Sequence, residues 1–170
     1  MVTTAYVVLV LAVAVQRIAE VRISRRHVRA LKAQGAVEHA AHQVPVMVVV
    51  HGLWLLACVA EPLMWHRPVV SALSAAALLL LLAGQALRWS ARRALGPRWT
   101  VPIITVPGAA RVTTGPFRYL NHPNYLGVVL EIAALPLVHG AYVTAGAFTL
   151  ANALLLTWRI AAEEHALRRG

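Results

Sequence analysis

The chain has 170 residues, 59% hydrophobic and only 13% charged, with a mean hydropathy of +0.66 and a formal charge of +10. A water-soluble domain of this length has no need of so much apolar side chain, and the basic residues flank the apolar runs instead of forming a patch of their own. Nucleic acid is therefore excluded as the reason for the charge, and a membrane is implied.

Crossing the hydrocarbon layer takes about 20 apolar residues. Five segments approach that length, at roughly 1–20, 44–60, 69–90, 123–138 and 141–160. The first has no basic leader and no small-residue cleavage site after it, so it is a retained span and not a signal peptide. The second contains His51 as its one strongly polar residue and also holds Cys58, the single cysteine, which excludes an intramolecular disulfide. In the third, Ser71, Ala75, Ala83 and Gly84 offer small surfaces for helix packing. The fourth is short and carries Glu131, a carboxylate expected to pair with His51 or Gln85 or to line a channel for a lipid. The tight His139-Gly140 link makes the last two spans a helical hairpin. The expected fold class is an all-α integral membrane protein with about five transmembrane helices, one domain over 1–170, and a cytoplasmic cofactor pocket. Arg17 and Glu20, at the end of the first span, read as an interfacial ion pair, and His27, His39 and His42 lack the spacing of a metal site.

Fifteen of the sixteen Lys and Arg residues fall in the first connection, the third connection and the C-terminus, and only Arg67 falls elsewhere. Five spans with the N-terminus outside put all fifteen on the cytoplasmic side of the inner or plasma membrane.

The polar chemistry collects in the loop 91–122 and just beyond. Trp89 to Leu95 reads as a continuation of the third helix, broken by Gly96-Pro97, and the stretches around Ile103 and Val112 read as extended chain. Residues Gly115 to Gly127, GPFRYLNHPNYLG, then pack turn formers, rings, His and Asn into thirteen positions. Pro123 restricts His122 to extended geometry and suits the first turn of a helix, so the fourth helix is expected to start there, its free amides facing a pocket. At the far end of the fifth span, Arg159 and Glu163 share a helix face at i, i+4, with Glu164 beside them.

The motif His122-Pro123-Asn124-Tyr125-Leu126-Gly127 after Gly115-Pro116-Phe117, followed by Arg159…Glu163-Glu164, resembles the isoprenylcysteine carboxyl methyltransferase family over about residues 99–167. The resemblance implies S-adenosylmethionine as cofactor, held by Arg111, Val112, Phe117, His122, Pro123, Asn124, Tyr125 and Glu163. It implies Arg159 as the group that orients the acceptor, and Glu131, where it lines the lipid channel, is the second candidate contact. Three departures bear on the acceptor: Asn121 stands where the family has Arg, Phe117 where it has Tyr, and the chain stops at Gly170 without a Tyr-containing tail. The Ala-, Val- and Arg-rich composition points to a bacterium, where prenylated proteins are not expected. The acceptor is then a membrane lipid or lipophilic small molecule of prenyl type, such as a long-chain phenol, pyrone or acid. A phenolic acceptor would need a base, for which His122 or Glu164 is placed by the motif. The alternatives are a methyltransferase for nitrogen or sulfur, an NADPH-dependent lipid reductase sharing the His-Pro-Asn-Tyr-x-Gly motif, and a non-enzymatic transporter or assembly subunit.

Overall fold

The computed structural model describes residues 4–65 and 67–169; residues 1–3 of the first predicted span and the terminal Gly170 lie outside them. Helix α1 (Thr4–Lys32) continues well past residue 20 because its buried stripe continues. Tyr6, Val10, Val13, Glu20, Ser24 and Leu31 recur at helical spacing, and the stripe is polar at Glu20 and Ser24 between its apolar ends. Helices α2 (Gln43–Met64) and α3 (Ser71–Leu95) follow, then α4 (Pro123–Leu137) and α5 (Tyr142–Arg169). Among these, α1, α2, α3 and α5 are long and apolar enough to cross a membrane.

Helix α4 has 15 residues, which is about 22 Å at 1.5 Å per residue. That falls short of a hydrocarbon core about 30 Å thick. It can be short because protein surrounds it: Gly127, Val128, Glu131, Ile132, Ala134, Leu135 and Pro136 are all buried. Lipid is faced instead by exposed Leu11, Leu56, Leu79 and Leu154 on the four long helices. The apolar core joins Tyr6, Val10, Trp54, Cys58, Leu81, Ile132 and Leu135. Its two polar handles are satisfied, with Tyr6 donating to the Cys58 carbonyl at 3.1 Å and Trp54 to the Ile132 carbonyl at 3.2 Å.

The packing seam of α3 differs from the expected one. Ser71, Ala75 and Ala83 are exposed, and the buried positions are Ala77, Leu81, Gly84, Arg88 and Ala91. Gly84 meets Gly127 of α4 so closely that a Cβ on Gly127 would lie 2.8 Å from the Gly84 carbonyl oxygen.

The helical architecture expected from the sequence carries one small addition, a two-stranded antiparallel sheet. Strand β1 (Val37–His39), between α1 and α2, pairs with β2 (Ile103–Thr105), and His39 Nε2 reaches Thr105 Oγ1 at 2.8 Å. The sheet therefore ties the first and third connections together at one end of the bundle. At the other end, Glu61 accepts hydrogen bonds from the Val143 and Thr144 amides at the start of α5, and Arg67 lies 3.6 Å from it.

Candidate functional site

Pro123 occupies the first position of α4 and His122 stands at its N-cap at φ −129°, ψ 61°, outside the helical region as Pro requires but short of the extended geometry expected. This places the first turn of α4 against the last turns of α5. Tyr125 donates its hydroxyl hydrogen to Glu163 Oε2 at 2.7 Å. The His122 ring stacks nearly parallel on Tyr125, with centroids 5.4 Å apart and 9° between planes. His122 Nδ1 and Nε2 lie 3.7 Å from Glu163 and Glu164 respectively, too far for hydrogen bonds but close enough for a protonated ring to feel both carboxylates.

Arg159 is buried and does not pair with Glu163. It donates from Nη2 to the Val101 carbonyl at 2.8 Å, lies 5.9 Å from the Tyr125 ring, and leaves Nε and Nη1 without partners. Val101 is also held from α1, where Ser24 Oγ accepts from its amide at 2.8 Å. His27 Nδ1 contacts the Trp99 carbonyl at 2.7 Å. The segment Trp99–Val101 is thus fastened to both the first and the last helix, although it has no regular structure of its own.

These elements enclose a cavity of about 870 Å³, within the size range of small-molecule sites. Of the residues singled out in the sequence, Arg111, Val112, Phe117, His122, Asn124, Tyr125, Arg159 and Glu163 line it. Pro123 is buried and does not reach the wall. Glu164 faces a smaller hollow with Arg111 and Asn121. Asn124 Oδ1 is buried and unpartnered. The cavity continues inward past Ala14, Ile18, Val48, Gly52 and Leu55, between α1 and α2, to His51 and Asn152.

Glu131 is not on the wall, and the expected partners are corrected. It pairs with Arg88 and, at 3.0 Å, with Arg17, while Gln85 accepts from Gln16 at 2.8 Å. Arg17 and Glu20 do pair, at 3.6 Å, but not as an isolated pair at the interface. They belong to a buried network in which Arg88 bridges Glu20 and Glu131, and Arg92 reaches Glu20 at 2.8 Å. The sequence reading missed this network. Its signal was there in Gln85, Arg88 and Arg92, which share one face of α3 at i, i+3 and i+7. Among the described residues, no three His, Cys, Asp or Glu side chains gather as a metal site.

Four long apolar helices around one cavity at their charged end, walled by rings, amides, Arg and Glu, define a polytopic membrane protein with a pocket of small-molecule size between its helices. Residues 76–169 match the sequence model of the isoprenylcysteine carboxyl methyltransferase (ICMT) family, and the chain belongs to that family of membrane methyltransferases. It is 39% identical over 155 residues to the Bacillus subtilis protein YpbQ, covering 91% of each chain, and YpbQ is described as uncharacterized. An uncharacterized protein of Haemophilus influenzae is 30% identical over 146 residues, covering 85% of this chain and 84% of its own.

Proposed function

We propose that the protein transfers a methyl group from S-adenosylmethionine to a carboxyl or hydroxyl oxygen of a lipophilic acceptor. The observation that carries this is the shared cavity: the first turn of α4 and the Arg-x-x-x-Glu face of α5 line one volume, and that volume runs on into an apolar flank. The residues fit the cofactor. Glu163 offers a carboxylate to an ammonium or ribose hydroxyl, Asn124 Oδ1 is an unsatisfied buried acceptor, and Phe117, His122 and Tyr125 present rings to a flat base. S-adenosylmethionine, when bound, supplies a methyl group made electrophilic by its sulfonium.

The chain's own task is then alignment and exclusion of water. Arg159, held at one end by the Val101 carbonyl, has two spare donor nitrogens with which to hold an acceptor's oxyanion. A carboxylate acceptor needs no base. A phenol, with a pKa near ~10, does. His122 lines the cavity and Glu164 does not, so His122 is the better placed of the two to take that proton. A lipid acceptor reaches the cavity sideways from the bilayer, along the Ala14, Ile18, Val48 and Gly52 flank. The N-terminus lies outside and the cavity faces the cytoplasm; the clustering of basic residues and the β1–β2 pairing support that orientation.

One observation favours a second reading. Arg22, Arg25, Arg98 and Arg111 also line the cavity, and guanidiniums suit the phosphates of NADPH in a lipid reductase. Thermal unfolding of the detergent-purified protein separates the two, because a ligand that binds only the folded state raises the melting temperature. S-adenosylhomocysteine is expected to raise it and NADPH to leave it unchanged. Glu163→Gln and His122→Ala should lose the shift while melting as wild type without ligand. A shift with NADPH alone would overturn the methyltransferase reading, and unchanged affinity in both variants would sink the site assignment.

A further inference from the structure

Helices α1 and α3 meet through long side chains. Gln16 donates to Gln85 at 2.8 Å, and Glu20 takes both Arg88 and Arg92, the latter at 2.8 Å. Later residues of α1 meet later residues of α3, so the two helices run parallel. On α1 the exposed residues Val8, Ala12, Val15, Ala19 and Arg26 recur at helical spacing, and on α3 so do Leu78, Leu82, Trp89 and Arg93. Ala19 precedes Glu20 by one residue, whereas Arg93 follows Arg92 by one. The two stripes are therefore turned by about 100° in opposite senses from the Glu20–Arg92 contact. Between parallel helices, opposite turns lead to the same side of the pair. None of these nine residues lines the cavity.

Each stripe is apolar along its span and ends in a guanidinium. The Glu20–Arg92 contact also sets their depth: at 1.5 Å per residue, Arg93 stands about 1.5 Å beyond it along the helix axis and Arg26 about 9 Å. Both cations thus follow directly on the apolar stripes, at the level where lipid headgroups begin. Arg93 lies over the Trp89 ring, 5.2 Å from its centroid, and an indole at that level is an interface anchor. The ion pairs between these helices use Arg17, Arg88 and Arg92, which leaves the exposed Arg26 and Arg93 to a partner outside the protein.

We infer that this α1–α3 face is a binding site for an anionic phospholipid. Its phosphate sits between Arg26 and Arg93, its glycerol region against Trp89, and an acyl chain along the two apolar stripes. The charge selects an anionic headgroup, and the stripes beneath it select a lipid over a free anion. The site lies on the flank away from the cavity, and the inference stands apart from the methyltransferase reading.

The test is native mass spectrometry of the full chain in detergent, titrated with phosphatidylglycerol, with phosphatidylcholine of the same acyl chains, and with glycerol phosphate. Phosphatidylglycerol is expected to bind roughly tenfold or more tighter than phosphatidylcholine, and the ratio should shrink as salt is raised. Arg93→Gln and Arg26→Gln should each lower the ratio several-fold without weakening phosphatidylcholine. Arg118→Gln removes the same charge from an exposed position off this face and should leave the ratio as it is. Equal affinity for the two lipids in the unmodified protein overturns the inference, whatever the variants do. An Arg118→Gln effect as large as that of Arg93→Gln also overturns it, because the attraction is then to total charge. Glycerol phosphate that displaces phosphatidylglycerol would replace the lipid site with a free-anion site. Thermal shifts with S-adenosylhomocysteine are read separately, so failure of the cofactor reading leaves this result unchanged.

Discussion

At the scale of single residues, burial gives the charged groups their importance. Arg88 would be an ordinary helix-end arginine in water, worth little in a surface pair. Here it is buried between two buried carboxylates, and removing it takes from each a partner at its centre, leaving Glu131 to Arg17 and Glu20 to Arg92 at the network's edges. Arg88→Met is expected to destabilise the protein by about 3–5 kcal/mol, measured by thermal or denaturant unfolding in detergent. A single variant as stable as wild type would mean that the network is not formed. The motif residues behave differently. They line the cavity, and Asn124 Oδ1 and Arg159 Nε are buried there without a partner.

At the scale of elements, the α3–α4 seam sets the position of the motif. Helix α4 can lie deep in the bundle only because Gly127 faces Gly84, and a Cβ on Gly127 would meet Arg88 Cγ at 2.4 Å as well as the Gly84 carbonyl. Gly127→Ala should therefore cost about 1–3 kcal/mol through overpacking, and Gly127→Val more. Gly52→Ala is the control, since nothing lies within 4 Å of a Cβ there. Melting curves in one detergent compare the pair, and a Gly127→Ala protein that melts with Gly52→Ala would show that the seam is looser than described. The motif's closing glycine thus has a packing reason independent of any ligand. The irregular stretch Trp99–Val101 depends on other elements too, through Ser24, His27 and Arg159. An extended chain with no ladder of its own can wall a cavity when side chains from regular helices satisfy its backbone.

At the scale of the whole molecule, the two ends of the bundle are chemically distinct. One end gathers the basic connections, the small sheet and the cavity; the other is closed by Glu61 on the α5 amides with Arg67 nearby. Cysteine labelling on a Cys58→Ser background tests the orientation. A membrane-impermeant maleimide is expected to reach Arg67→Cys in intact spheroplasts, and Arg111→Cys only after permeabilisation. The reverse pattern would turn the protein over in the membrane and place the cavity outside.

Hydropathy, charge placement and motif spacing were enough to determine that this is a helical membrane protein. They also showed where α4 begins and that α3 stops at Gly96. Those features are local, because they follow from Pro and Gly backbone limits, helix periodicity and the cost of placing charge beside lipid. Tertiary structure alone decided that Glu131 pairs with Arg17 and Arg88, that Arg159 is held by Val101, and that a short α4 is enclosed by protein. It also decided that β1 meets β2 across more than sixty residues of chain. Each of these depends on which helix faces lie opposite one another, and that is settled by close packing over the whole bundle, of which the order of residues along any one helix carries only half.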